Sequence, residues 1–471
     1  MSFRYRRYIG ETKDYIEEYF SSLKDDKNLI KYITMVMIAH VKTLMKQRVI
    51  PKEHGEAILS KLMEVIRSDG ELLYKWIEMN SASYEDAFEA LEAYLYSVSN
   101  VSAGYMAIGR SRNDHIATVL RLYLRDNIIG ILRKLLEIRE IFLYKAEELK
   151  SIIFPFFTHE QVAQCGSASI YFMSYEQTLA NLWKLLFQGI ELLEENPLGS
   201  GAASGSLVEM DREHIGDMLC LDKAVLQPYY ATGSRLFALH YLNLLSLVML
   251  EFSRFAEDMI LLNSLVPNSL NIPKEHIATS SIMPHKRNLV TMETIRANSS
   301  KASGLSFIAQ SIYKRLPYGY NLDFQGINDA LIDSLDAVQK TLDVVKDFVK
   351  GLTINENAIR KYIEDKPCWS SDLVEYIALK SGKPAREVYM VLSKLFNDCK
   401  AIDSDCISNA LSHFDFSFDT ISNIIKNKPI EANIEELLEE AQERLENDKD
   451  NVVKTSLSVE KCISKLLSSS Q

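Results

Sequence analysis

The run over residues 236–262 constrains the fold more than any other stretch of the chain. Its apolar side chains fall on every side of a helix and not on one stripe, so a helix here must be covered all round by other elements. His240, Asn243, Glu251, Arg254, Glu257 and Asp258 interrupt it, a polar content that reads as a buried helix and not as a membrane span. Such a helix needs partners of similar length. Helical spacing of apolar residues recurs over residues 115–150, 167–195, 288–315 and 328–352, and each of those runs also has a face to bury. Five long helices with irregular segments between them predict an all-α fold built on an elongated central bundle.

At 471 residues the chain exceeds what one compact core organises. Shorter helical patterns, including residues 29–47 and 52–67, form an N-terminal helical domain over 1–108. The central bundle spans 109–360, and a C-terminal helical domain covers 361–471, its tail from Glu431 onward charged and expected to be exposed. Strand signals are nearly absent. With 64 acidic residues against 53 Lys plus Arg, the net charge of −11 argues against nucleic acid or an anionic membrane as partner. A small anionic substrate held in a local basic pocket stays open. The six cysteines show no Cys-x-x-Cys or Cys/His spacing, which predicts neither a zinc site nor a disulfide framework but free thiols in a reducing cytosol. The basic start, residues 1–7, is not followed by an apolar stretch, so no signal peptide is read and a cytoplasmic location is expected.

The reactive side chains gather at breaks flanking the long helices. One break gives Gly109-Arg110-Ser111-Arg112-Asn113-Asp114, where helix-start amides with Ser111 and Asn113 make a receptor for a carboxylate or, more simply, a helix cap. A second gives Thr158-His159-Glu160-Gln161, whose histidine offers an acid, a base or a relay, or is simply a polar surface residue. A third is the glycine turn Pro197-Leu198-Gly199-Ser200-Gly201-Ala202. The fourth, Thr279-Ser280-Ser281-Ile282-Met283-Pro284-His285-Lys286-Arg287-Asn288, puts two hydroxyls, a cation and an amide on one loop. Read alone, that pair of serines is a cap and Lys286 a surface charge.

Together these segments resemble the fumarase/aspartase superfamily and, within it, the argininosuccinate lyases. The run from Gly109 to Asp114 resembles that family's G-R-S-R-N-D motif. Thr158-His159-x-Gln161-x-Ala163-Gln164 resembles T-H-x-Q-x-A-Q, residues 197–202 match P-L-G-S-G-A, and the fourth stretch resembles G-S-S-x-M-P-x-K-x-N. Tyr320-Asn321-x-Asp323-x-Gln325 resembles Y-N-x-D-x-Q. Five ordered matches are joint evidence where each alone is weak.

The resemblance implies a β-elimination that splits argininosuccinate into arginine and fumarate without a metal or organic cofactor. It implies Ser280 as catalytic base, with Lys286 and Asn288 holding the reacting carboxylate and Ser281 a neighbouring donor. His159, oriented by an acid at Glu293 and flanked by Thr158, belongs to the same implied site. Ser111, Asn113, Gln161, Tyr320 and Gln325 are implied substrate-binding residues. The resemblance also implies a homotetramer whose active sites are shared between subunits. The chain departs from the pattern at Thr279 (glycine), Cys165 and Leu289 (proline), Phe88 (histidine), Met37 (serine) and Asn328 (lysine). Two other readings stand beside it. One is a fumarate-releasing enzyme like adenylosuccinate lyase, suggested by Met283-Pro284-His285-Lys286-Arg287-Asn288; the other is a non-catalytic relative of the delta-crystallin kind.

Overall fold

A computed structural model describes residues 13–80 and 84–468; the basic start at residues 1–7 lies outside them. Five helices form the N-terminal part: α1 (Asp14–Phe20), α2 (Ile30–Lys46), α3 (Lys52–Arg67), α4 (Glu71–Asn80) and α5 (Ala87–Ser99). The bundle follows with α6 (Arg112–Glu148), a hairpin of β1 (Ile153–Thr158) and β2 (Gln161–Ser167), and α7 (Ala168–Gln188). Short pieces come next: β3 (Glu195–Asn196), α8 (Arg212–Leu219), β4 (Lys223–Ala224) and α9 (Pro228–Gly233). Then run α10 (Leu236–Leu265), β5 (Leu270–Asn271), α11 (Val290–Tyr313), α12 (Phe324–Gly351) and β6 (Thr353–Ile354). The chain closes with α13 (Glu356–Glu364), α14 (Ser370–Ser381), α15 (Ala385–Asn397), α16 (Ser404–His413), α17 (Phe418–Lys426), α18 (Pro429–Ala432) and α19 (Ile434–Leu467).

The fold is the expected all-α elongated bundle. Helix α10 lies inside it against α7, α11 and α12, and Phe237, Tyr241, Leu245, Met249, Phe252, Phe255 and Met259 are all buried. Side-chain bonds from Ser306 to Asn243 and from Arg296 to Glu257 show α10 and α11 running antiparallel. Gln339 to Asn127, Lys134 to Asp343 and Lys346 to Glu137 show α6 and α12 running parallel. One end of the bundle therefore collects the starts of α6 and α12, and the other their ends together with the start of α11.

Three expectations need correction. The 158–161 segment is not a bare turn before a helix: it is the tip of the antiparallel β1–β2 hairpin, with Thr158 opposite Gln161. His159 and Glu160 both take positive φ, 54° and 56°, the requirement of a two-residue type I′ turn and unusual for residues other than glycine or asparagine. The C-terminal tail is not a free exposed helix. Leu438, Ala441, Leu445, Val452 and Val459 of α19 are buried, and Arg139 of α6 bonds Asp448 on α19 and Glu176 on α7, at 2.7 and 2.9 Å. The cysteines are not free thiols, for all six pair as Cys165–Cys368, Cys220–Cys462 and Cys399–Cys406. Spacing along the chain could not reveal pairs separated by 203 and 242 residues.

Candidate active site

Ser111 caps α6. Its hydroxyl accepts from the Asn113 amide at 3.2 Å while the Asp114 carboxylate accepts from the Ser111 amide at 3.2 Å, a reciprocal capping box. Asp114 also accepts from the amides of Gly199 and Gly201, at 3.2 and 2.9 Å, and the Asn113 side chain donates to the Ala202 carbonyl at 3.2 Å. One buried carboxylate thus joins two of the sequence motifs. Gly201 has φ +59°, and a Cβ there would meet the Gly205 carbonyl at 2.4 Å, so this turn needs glycine. The cap was legible in the sequence, since an acid three positions after Ser111 is the signal of a capping box, whereas the anchoring of the glycine turn by Asp114 was not.

Tyr320 joins the same end. Burial raises its phenol, Arg235 opposes the shift, and Asp86, Glu85 and Arg112 act on it too. Arg112 pairs with Asp86 at 2.7 Å, and the parallel pairing of α6 with α12 places Tyr320, four residues before Phe324, at the end where α6 starts. The Tyr320 ring meets Phe324 edge-on at 5.7 Å, and Gln325 is half-buried on the first turn of α12.

The loop bearing Ser280 is at the other end. Ala278 and Asn288 exchange backbone hydrogen bonds of 2.9 and 2.8 Å, closing its base. Just before it, His276 meets Asp347 near the end of α12 at 3.1 Å. Within the loop the Ser280 hydroxyl accepts from the amides of Ile282 and Met283, at 3.4 and 3.2 Å. Ser281, Lys286 and Glu293 are exposed and Asn288 half-buried; no side-chain hydrogen bond or ion pair engages these four among the described contacts. Thr279 is absent from the residues with positive φ, so its side chain costs the backbone nothing in this conformation. The hairpin tip, with Thr158, His159 and Gln161 exposed, follows the end of α6 and so lies at this end as well.

A helix of 28 residues rises roughly 40 Å at 1.5 Å per residue. That length separates Tyr320, Ser111 and Asn113 from the root of the Ser280 loop, whose ten or so residues fold back and reach out less than about 20 Å. One chain brings together Ser111, Asn113, the glycine turn, Tyr320 and Gln325. It holds Ser280, Lys286, Asn288, Glu293 and the hairpin apart from them. Met37 and Phe88, at positions where the resembled family carries polar groups, are buried in the core, and Phe88 faces the His115 ring at 6.2 Å. Among the described residues no group of three His, Cys, Asp or Glu is arranged to hold a metal ion.

Residues 6–304 match the family model described as Lyase. The argininosuccinate lyase of Pyrococcus furiosus is 34% identical over 443 residues, 93% of this chain and 95% of that one. The argininosuccinate lyase of Sulfurisphaera tokodaii is 36% identical over 386 residues, 82% of each. Among solved structures, EDDS lyase in complex with formate superposes with a TM-score of 0.78 at 20% identity, covering 93% of this chain and 90% of that one. A class II fumarase from Schistosoma mansoni gives 0.66 at 17%, covering 82% and 91%. At such identities the two structures speak for the fold alone.

Proposed function

Because this chain belongs to the fumarase/aspartase superfamily of lyases, we propose that it cleaves argininosuccinate to L-arginine and fumarate, with Ser280 as the base. The observation that carries the reading is the surroundings of that hydroxyl. Two backbone amides donate to the Ser280 oxygen, an arrangement that stabilises an alkoxide as it would an oxyanion. Ser281 accepts no such bonds, which favours Ser280 between the two. A serine is otherwise far too weak a base to take a proton from carbon, and Lys286 on the same loop adds a positive field.

In the proposed reaction Ser280 takes a proton from the carbon beside a carboxylate. The electron pair of that C–H bond becomes the C=C bond of fumarate, and the C–N bond on the neighbouring carbon breaks with its pair going to nitrogen. Lys286 and Asn288 hold the carboxylate whose charge grows in the carbanion. His159, turned by Glu293, and Thr158 approach from the hairpin. Ser111, Asn113, Gln161, Ser281, Tyr320 and Gln325 bind the rest of the substrate.

Because the rise of α12, roughly 40 Å, keeps these groups apart in one chain, the site needs other copies, and we assign a homotetramer with shared active sites. Exposed Leu247 and Leu250 on α10 and Phe307 and Ile308 on α11 supply apolar surface for further copies to cover. The test is a paired assay. Protein given argininosuccinate should release fumarate, and Ser280→Ala should abolish release with the helical circular dichroism unchanged. Turnover of adenylosuccinate alone would move the assignment to that sister activity. Silence on both would favour a structural relative, the reading to which buried Met37 and Phe88 lend weight.

A further inference from the structure

All six cysteines of the chain stand in pairs, with Cα separations of 5.5, 5.7 and 5.9 Å, inside the range a disulfide spans. Two of the pairs join residues far apart in sequence, so the tertiary fold and not local chain geometry creates them. Their places differ. Cys220–Cys462 ties the end of α8 to the last turns of α19, at the bundle end that carries the start of α6. Cys399–Cys406 closes the link between α15 and α16. Cys165–Cys368 ties strand β2, four residues past Gln161, to the start of α14.

The third of these bridges lies at the root of the hairpin that presents Thr158 and His159. That root also docks on the C-terminal helices without the bridge: the Ser167 amide donates to the Glu431 carboxylate at 2.9 Å, and Ile153 and Val162 pack against the apolar cluster around Cys165 and Cys368. Phe157 meets Tyr362 with ring centres 6.5 Å apart, the Gln164 side chain donates to the Ser371 hydroxyl at 3.2 Å, and Lys428 donates to the Cys165 carbonyl at 2.9 Å. Cys165 and Cys368 are themselves buried in the apolar cluster with Trp369, Leu373 and Ile421. Between the bridge and His159 stand three paired positions, Phe156, Phe157 and Thr158, with a register shift between Phe156 and Phe157.

We infer that Cys165 and Cys368 are positioning residues, whose disulfide holds the hairpin at the angle His159 needs and makes turnover depend on redox state. The inference rests on the assignment of the hairpin to the active site made above. Each bridge forms by exchange with a low-molecular-weight disulfide such as oxidised glutathione. One cysteine thiolate attacks a sulfur of that disulfide and releases one thiol, and the second cysteine then displaces the other. The protein gives up two electrons and two protons per bridge, and one small disulfide is reduced to two thiols.

The first measurement is independent of activity: full-length protein equilibrated with oxidised glutathione, then denatured, should show no thiol reactive toward an aromatic disulfide reagent. Six reactive thiols would overturn the pairing. The second compares kcat and KM for the oxidised protein, the phosphine-reduced protein, Cys165→Ser and Cys220→Ser. A loss in kcat on the order of tenfold, with KM little changed, is expected on reduction and in Cys165→Ser, while Cys220→Ser keeps kcat and unfolds at a lower temperature. An unchanged kcat on reduction, or equal losses in the two variants, overturns the positioning role. Should the protein turn over no substrate, the functional reading fails and hydrogen exchange decides instead. Hairpin amides should lose protection on reduction, and unaltered protection refutes the inference.

Discussion

The Asp114 carboxylate accepts a 2.9 Å hydrogen bond from the amide of Gly201, 87 residues further along the chain. Burial pushes Asp114 up to about 7, against the pull of the amides of Gly201, Ser111, Gly199 and His115. The unfolded chain loses this proton near 3.8 while the folded chain keeps it to about 7, so the group's contribution to stability is largest below 3.8 and falls as pH rises across that window. Asp114→Asn keeps an oxygen for the glycine amides and removes the titration. Its urea midpoint should change less than the parent's between the two pH limits. Parallel slopes would show that Asp114 already ionises at acid pH in the fold.

His40 and His115 lie edge to face at 5.1 Å. Burial lowers His40 to about 4, Arg110 adding to the shift, and burial also holds His115 well below its ordinary 6.5. Both bases are harder to protonate folded than unfolded. Stability is therefore full above about 6.5 and is lost as pH falls toward 4. Neither ring nitrogen of His115 has a hydrogen-bond partner, so His115→Leu breaks none. The variant should be neutral or stabilised by up to about 1 kcal/mol near pH 7, with a shallower acid limb in a stability–pH curve.

Arg139 is fully buried between Glu176 and Asp448, and Arg444 on α19 also reaches Glu176, at 2.6 Å. Arg139→Met strips one cation from this group and leaves carboxylates partly uncompensated inside the fold. A loss of about 3–5 kcal/mol is expected from urea unfolding, with early hydrogen exchange along α19. Arg139→Met combined with Glu176→Leu should recover part of that loss. If the double variant is no better than the single one, the ion pairs are not the cause.

Asn113 and Ser280 lie at opposite ends of the bundle, so in the proposed tetramer variants at the two positions damage different copies' contributions to a shared site. Asn113→Ala and Ser280→Ala should each be nearly inactive as pure proteins. Unfolded together and refolded, they should regain about a quarter of wild-type activity, since random assembly gives that share of sites one sound part from each variant. No recovery would mean that one chain supplies both parts.

Apolar periodicity made the long helices legible, and α10 most of all, because a helix apolar on every side has few other places to go. The β1–β2 hairpin was not. Its first strand is a run of aromatics around Pro155 with no alternation, and its turn is His159-Glu160 where Asn-Gly would have announced it. The buried stripe of α19 was written in the spacing of Leu438, Ala441 and Leu445, but dense charge around it read as a solvated tail. Ser280 stood out through its motif, whereas the two amides that distinguish it from Ser281 exist only once the loop has closed on Ala278 and Asn288. The joint between Asp114 and the glycine turn needed the fold, since nothing local says which distant amides a capping acid will also serve.

On the proposed shared site, the roughly 40 Å rise of α12 also makes catalytic competence a question of mass action. A chain that has folded correctly but stands alone holds both halves of a site out of reach of each other. Specific activity should then drop on dilution below the dissociation constant of the assembly, with the helical content still intact. A cell making too little of this protein would lose flux more steeply than it loses polypeptide.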